Sequence, residues 1–291
     1  MRLRAIMQRP DSIRDIAQNL SLFGKLCAVR LKRDIMQIVM VNPITGTQIW
    51  VALDPNEYFG EMDIATAASG VISLELYSDT LFRALKSCTR SGVDVVRMKL
   101  IKRQDIPYLI FSVEQNSRNG TGSTTISQQV PVRICHPSEG GLLEEPSCPE
   151  PTVVVVLKHE GLSIVRICDR YRHLSSRITV AANSSGDLHL CVENDNVRVD
   201  TAWANLETAE QLEGNWDDRP TQRPTPQLGQ NEMAHAKVDA KELWNAFKIH
   251  SSAEKILLCI CHNHALILFV FLTGQDEGSL LTYFLTATNQ E

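Results

Sequence analysis

Four potential metal ligands lie within six residues of the sequence, in the segment CICHNH at 259–264. Zinc sites usually space cysteine and histidine ligands as CxxC or HxxxH, so that a loop can wrap the ion. Here Cys259 and Cys261 have the spacing of side chains on one face of a strand, and His262 and His264 straddle a tight turn. We therefore interpret the segment as the turn of a structural hairpin and predict no metal site, with a zinc site as the alternative.

The sequence contains no motif that marks a common catalytic site. The glycine-containing segment NGTGST at 119–124 is not followed by GKS or GKT, so it does not predict a phosphate-binding loop. Neither GxSxG nor HExxH occurs, and paired carboxylates occur only in acidic loops. The residues therefore indicate no active site and no cofactor-binding motif.

The segment DTLFRALKSCTR, residues 79–90, predicts an amphipathic helix with a positively charged solvent side. At about 100° per residue its apolar side chains fall on one side. The opposite side carries Arg83, Lys86 and Arg90. Because the whole chain has a net charge of -5, this concentration of positive charge calls for an explanation.

Three further predicted helices, at 12–25, 160–175 and 239–250, repeat this arrangement. Each has an apolar side suited to packing on a sheet and an opposite side with positive or neutral polar groups. The basic side chains of these three helices are Arg14, Lys25, Arg166, Arg170, His173, Lys241 and Lys248. One such helix is usually a solvated surface, but four in a repeated arrangement predict a surface that meets a polyanion.

The charges are segregated along the chain. Residues 138–150 and 193–218 carry net charges of -4 and -7, so the remainder of the -5 chain is at about +6. We therefore expect negative charge in loops and edge strands, and positive charge biased to the helices.

The order of predicted elements is the same in both halves of the chain: helix, hairpin, strands, helix, hairpin. This order indicates an internal duplication. A segment rich in proline, glycine and glutamate separates the halves, so we predict domains at 1–137 and 152–291 joined by a loop at 138–151. An irregular insertion is predicted at about 206–232.

The composition is that of an ordinary globular protein, with 43% hydrophobic and 22% charged residues. The N-terminal segment has no apolar core of a secretory signal, which favours an intracellular setting with reduced cysteines. The longest apolar run, residues 265–272, is too short to span a bilayer. We therefore predict no membrane association.

With these features in view, the sequence resembles the sliding-clamp family typified by proliferating cell nuclear antigen. Within it, the sequence is most similar to the Hus-type subunits of the heterotrimeric checkpoint clamp, the nine-one-one complex. The matching stretches are MRLRA, QIWVALDPNEYF, LELYSDTLFRALKS, VPVRIC, EEPSCPEPTV, YRHLSSRITVAANSSGDLHL and HALILFVFL. None is a catalytic signature, but their order over nearly the whole chain makes the match specific. The insertion at 206–232 departs from the clamp pattern.

The resemblance implies an α+β fold of two similar domains, each with two helices packed on antiparallel sheets, forming one third of a closed ring. It implies a nuclear protein that is loaded onto DNA at damage sites, encircles it and serves as a platform for checkpoint signalling and repair. The implied partners are two Rad-type clamp subunits, a clamp-loader complex, double-stranded DNA without sequence specificity, and repair and signalling proteins. The basic helix residues named above would face the DNA.

The resemblance also implies that the end strand of the first domain pairs with an edge strand in the second domain of a neighbour. By position, these strands are residues 130–136 and 197–204. The predicted interface residues are Val130, Val132, Ile134, Val197, Val199 and Thr201. Three alternatives remain open at this point: a self-trimerising replication clamp, a scaffold without a DNA role, and a nuclease with metal-binding carboxylates.

Overall fold

The computed structural model describes most of the chain in two compact units. The described residues are 2–66, 70–89, 95–116, 123–135, 146, 148–158, 160–208, 229, 231–272 and 279–288. The first unit comprises Met1–Val41, Trp50–Glu144 and Gly274–Ser279, and the second comprises Asn42–Ile49, Glu145–Thr273 and Leu280–Glu291. Arg90, most of the predicted loop at 138–151 and most of the predicted insertion at 206–232 lie outside the described residues.

The described residues of the first half of the chain form nine strands and three helices. In order they are β1 (Arg2–Met7), α1 (Pro10–Leu20), β2 (Leu26–Leu31), β3 (Met36–Val41), β4 (Gln48–Leu53), α2 (Pro55–Tyr58), β5 (Phe59–Ala65), β6 (Ile72–Tyr77), α3 (Ser78–Cys88), β7 (Val96–Arg103), β8 (Ile106–Asn116) and β9 (Ser123–Ile134). Hydrogen bonding links the strands in the order β4-β3-β2-β6-β9-β8-β7-β1-β5. Helix α1 packs beside α3.

The described part of the second half repeats this order of elements except that it has no counterpart of α2. It contains β10 (Val153–Leu157), α4 (Gly161–Tyr171), β11 (Arg177–Ala182), β12 (Leu188–Glu193), β13 (Arg198–Trp203), β14 (Glu207–Thr208), β15 (Ala234–Asp239), α5 (Ala240–Phe247), β16 (Ala253–Cys261), β17 (Ala265–Leu272) and β18 (Leu280–Thr286). The strands are ordered β14-β10-β16-β17-β18 in one sheet and β13-β12-β11-β15 in another. Helix α4 packs beside α5.

Side-chain alternation explains why the sheets bury one face. In β2 the side chains of Cys27, Val29 and Leu31 are buried and their neighbours are partly exposed. This alternation is typical of an antiparallel sheet with one face on the core. Strand β17 is buried at every position, which explains its unbroken apolar sequence.

The four predicted hairpins are confirmed, and each predicted helix is present but shorter than expected. Helix α1 ends at Leu20, and α5 gives way at Lys248 to a 3-10 turn. Consequently Lys25, His173 and Lys248 lie just beyond their α-helices rather than on them. Within the described residues, no helix has the length and hydropathy needed to cross a membrane.

Candidate nucleic-acid interface and strand edges

The CICHNH segment lies in the β16–β17 hairpin, as the sequence predicted. Burial raises the pKa of the Cys261 thiol to about 12 and raises that of Cys259 well above its usual range, so both thiols stay protonated. The Nδ1 atom of His262 accepts a hydrogen bond of 3.1 Å from the backbone N–H of His235. Among the described residues, no three side chains of metal-binding type come together as a site.

In the first unit, most of the charge on α1 is balanced locally. The guanidinium of Arg14 contacts the carboxylates of Asp11 and Asp15, the latter at 2.8 Å. It also donates a 3.1 Å hydrogen bond to the Thr89 hydroxyl just after α3, which ties the two helices together. Arg14 is therefore a linking residue between α1 and α3, and its predicted place on the DNA-facing surface stays a prediction.

Helix α3 offers two exposed cations. Arg83 is exposed and pairs with Asp79 one turn earlier. Such exposed pairs on a helix are worth only about 0.3–0.5 kcal/mol, so a phosphate can replace the carboxylate. Lys86 is exposed and its ammonium lies 5.6 Å from the ring centroid of Phe82, which is only half-buried.

Helix α4 in the second unit carries an exposed cationic row. Arg166 and Arg170 are exposed and lie four residues apart on one face of the helix, and the exposed His173 follows just after the helix ends. The part of the chain that the structure describes places no carboxylate in an ion pair with Arg166, Arg170 or Lys241.

A tryptophan organises the cations next to this row. The Arg172 guanidinium lies 3.8 Å, and the Lys248 ammonium 3.3 Å, from the ring centroid of Trp244. Burial lowers the pKa of Lys248, and the nearby charge of Arg172 lowers it further. Arg172 also bonds to Asp169 at 2.7 Å. Sequence reasoning missed Arg172 because its place over Trp244 depends on the packing of α4 against α5.

A buried carboxylate fixes the orientation of α5. The helix begins at Asp239, whose side chain accepts hydrogen bonds from the first backbone N–H groups. Glu242 is buried and accepts hydrogen bonds from Asn42 at 2.8 Å and from Thr45 at 2.6 Å, both in the second unit. Because a buried carboxylate needs such partners, this contact holds α5 with Glu242 inward and Lys241 exposed.

The exposed charge therefore differs between the two helix pairs. On α1 and α3, acidic side chains accompany Arg14 and Arg83. On α4 and α5, the paired carboxylate of Asp169 accompanies Arg172, and the cations Arg166, Arg170 and Lys241 remain unbalanced among the described residues. The second unit thus presents the stronger surface for a polyanion.

Among the described residues, β13 is the last strand on one side of its sheet, and its outward-pointing hydrogen-bond donors can be assigned from the hairpin before it. The Asn194 N–H donates to the Val197 carbonyl at 3.0 Å. Hydrogen-bonded and non-hydrogen-bonded residue pairs alternate along an antiparallel ladder. The Val192–Val199 pair lies two positions from the Asn194–Val197 pair, so it is hydrogen-bonded as well. Val199 therefore points its backbone N–H at β12.

The same alternation assigns the rest of β13. The backbone N–H groups of Val197 and Thr201 point at β12, as that of Val199 does. The backbone N–H groups of Asp200 and Ala202 point to the free edge. Thr201 is also engaged through its side chain, because its hydroxyl lies 2.6 Å from the hydroxyl of Tyr171 on α4. The predicted strand thus lies at an edge of its sheet in the described residues. The backbone N–H groups of the three predicted residues, Val197, Val199 and Thr201, however, point at β12 and not at that edge.

Strand β9 has a partner on each side over different parts of its length. A tight turn with positive φ at Gln104 and Asp105 closes the β7–β8 hairpin. This turn determines which backbone N–H groups of β8 point to β7 and which point to β9. Leu109 of β8 then bonds to Val130 of β9. The backbone N–H groups of all even-numbered β9 residues, Val130, Val132 and Ile134 included, point to the β8 side.

The opposite edge of β9 is covered only at its C-terminal end. There the Cys135 N–H donates to the Ser73 carbonyl at 3.0 Å, continuing the ladder with β6. Among the described residues no strand lies beside this edge at Thr125, Ser127 and Gln129. The free edge therefore lies N-terminal to the predicted residues 130–136, which corrects the sequence prediction.

The whole chain is similar to one group of checkpoint proteins. The family described as Hus1-like protein matches residues 1–289. The chain is 30% identical to "Checkpoint protein hus1" of Schizosaccharomyces pombe, over 98% of this chain and 99% of that protein. It is 25% identical to "Checkpoint protein HUS1" of Homo sapiens, over 94% of this chain and 93% of that protein.

Solved structures of sliding clamps share the fold. The proliferating cellular nuclear antigen of Entamoeba histolytica aligns with a TM-score of 0.70 at 12% identity and covers 99% of both chains. A chain of the PCNA2–PCNA3 complex of Sulfolobus tokodaii aligns with a TM-score of 0.66 at 15% identity, also over 99% of both chains. The predicted α+β clamp fold is confirmed.

Proposed function

Because this chain belongs to the Hus1-like family, we propose that it is a non-enzymatic subunit of a heterotrimeric checkpoint clamp in the nucleus. Two Rad-type clamp subunits complete the ring. A clamp loader opens the ring and places it around double-stranded DNA at damage sites, where it serves as a platform for signalling and repair proteins.

The unbalanced cations on α4 and α5 are the observation that carries the DNA role. Arg166, Arg170 and Lys241 are exposed side chains on rigid helices. Flexible basic side chains contact phosphates without reading base edges, which is what a ring needs in order to hold DNA and still slide. Arg83, Lys86 and Lys25 add weaker contacts from the first unit, and His173 and Lys248 add them beside α4 and α5.

The free edges of β9 and β13 support the assembly. Unpaired strand edges attract other strands unless they are blocked. Thr125–Gln129 on β9 and Asp200–Ala202 on β13 offer such edges in the two units. A neighbour on each side would extend both ladders, as the closed heterotrimeric ring proposed here requires.

Assembly can be tested by co-expressing the chain with the two Rad-type subunits of its own source and measuring the mass of the purified complex. We expect a complex with one copy of each subunit and no stable trimer of this chain alone. A homotrimer formed by the chain by itself would instead support a self-trimerising replication clamp.

A further inference from the structure

Basic side chains line the solvent face of the sheet in the first unit. On β1, Arg2 and Arg4 alternate with buried residues, and on β7, Arg97 and Lys99 do the same. This face lies opposite the core. Positive charge therefore also occurs on a sheet face, in addition to the helices to which the sequence pattern assigned most of it.

Two of these cations, Arg4 and Lys99, oppose each other directly, and among the described residues neither has an ion pair of its own. Arg4 lies directly across from Lys99 in the β1–β7 ladder and from Asp63 in the β1–β5 ladder. Asp63 is engaged by Arg2 at 2.8 Å, so it does not serve Arg4 alone. Like charges in directly opposed positions destabilise a sheet. An anion between Arg4 and Lys99 would remove this repulsion.

The same face is concave at this point. An open depression of about 600 Å³ is lined by side chains that include Arg4, Glu61, Asp63, Arg97, Lys99 and Ser112. The guanidinium, ammonium and hydroxyl groups on one side are hydrogen-bond donors suited to carboxylates. The acidic side chains on β5 form the other side.

The arrangement favours a peptide over a nucleic acid duplex. Exposed side chains recur at every second residue of β7, about 6.6–6.8 Å apart, which is also the spacing of alternate side chains in an extended peptide. The continuous phosphate backbone of a duplex would meet the carboxylates of Glu61 and Asp63 on β5. A peptide with acidic residues at alternate positions can place its carboxylates over β1 and β7, between Glu61 and Asp63 on β5 and Glu114 on β8, which pairs with Arg97 at 2.8 Å.

We propose that this sheet face binds an extended, acidic segment of a partner protein that runs along β7. One carboxylate of the segment lies between Arg4 and Lys99, and the acidic side chain two residues further on lies over Arg97 and replaces Glu114 in its exposed ion pair. The surface is separate from the helices proposed to contact DNA. The DNA role and this binding site can therefore fail independently.

The test uses the full chain and a fluorescein-labelled ten-residue peptide of alternating glutamate and threonine, followed by fluorescence anisotropy. We expect the double variant Arg4→Glu/Lys99→Glu to weaken binding by about tenfold or more. The matched variant Arg83→Glu/Lys86→Glu, with the same charge change on α3, should bind like the parent. A glutamine–threonine peptide should not bind.

Three outcomes would overturn the proposal. One is unchanged peptide binding by Arg4→Glu/Lys99→Glu when circular dichroism shows a folded chain. Another is an equal loss in both double variants, which would indicate general charge attraction. The third is displacement of the peptide by a short DNA duplex whose own binding depends on Arg4 and Lys99, because this would make the surface a nucleic acid site.

Discussion

Reversing the charge of Arg166, Arg170 and Lys241 together should leave the ring assembled but greatly weaken its hold on DNA. The three side chains are exposed, so their replacement by glutamate removes no packed contact. Each lost phosphate contact lowers the salt dependence of binding by about 0.9 in the logarithmic slope, so three contacts correspond to about 2.7. When the salt is raised from 50 to 200 mM, the parent should therefore lose roughly 40-fold more of its DNA affinity than the variant does.

The measurement is the DNA affinity of the assembled complex over a series of salt concentrations. A control with the same charge change, Arg4→Glu/Lys99→Glu/Arg103→Glu, alters the sheet of the first unit and should bind DNA like the parent. A reversal of Arg83 and Lys86 should have a smaller effect, because Asp79 already balances Arg83. If the α4–α5 variant matches the parent at every salt concentration, these helices are only a solvated surface.

Replacing Ala202 by proline should prevent stable assembly while the chain itself stays folded. The N–H of Ala202 points to the free edge of β13, and proline is tolerated where the N–H side of an edge strand faces solvent. The substitution removes a donor from the ladder with the neighbouring subunit and breaks its continuity. We expect a loss of about tenfold or more in the affinity of assembly.

A matched proline at Val199 serves as the control. Its N–H bonds to β12 within the same chain, so this substitution should lower the thermal stability of the subunit itself. Ser127→Pro on β9 should act like Ala202→Pro, because its N–H also points to a free edge. Co-purification of Ala202→Pro with both partner subunits at the parent's yield would refute the proposed role of β13.

The sequence predicted the helices and hairpins correctly because their side-chain periodicity reflects a single dominant effect, the burial of one face. It predicted helix ends poorly. Residues 21–25 continue the polar pattern of α1, but the chain turns after Leu20 so that β2 can begin at Leu26. The periodicity of the side chains does not show where the tertiary fold requires the helix to end.

The free donors of the edge strands could not be predicted for a different reason. The resemblance indicated the strands 130–136 and 197–204, but the direction of each backbone N–H depends on the geometry of the preceding turn. The bond from Asn194 to Val197 sets it for β13, and the turn at Gln104 and Asp105 sets it for β9. A shift of one residue in the strand-pairing register would turn the inward-pointing backbone N–H groups outward and the outward-pointing ones inward.

Ion pairing also limited what the sequence could predict about the candidate DNA surface. Arg14 and Arg83 belong to the basic sides of their helices, yet Asp11, Asp15 and Asp79 partly balance them. Arg172 was missed because only the packing of α4 against α5 brings it to Trp244. The helical pattern therefore identified the surface, and the structure identified which of its charges are available.

The central claim is that this chain closes a ring around DNA, and its most direct test is topological. The assembled complex is loaded by its clamp loader onto a nicked circular DNA, washed at high salt, and measured before and after a single cut that linearises the circle. We predict that the complex survives the wash on the circle and is released by the cut, because a closed ring is held by topology. Release by salt alone, equally from circular and linear DNA, would contradict the claim.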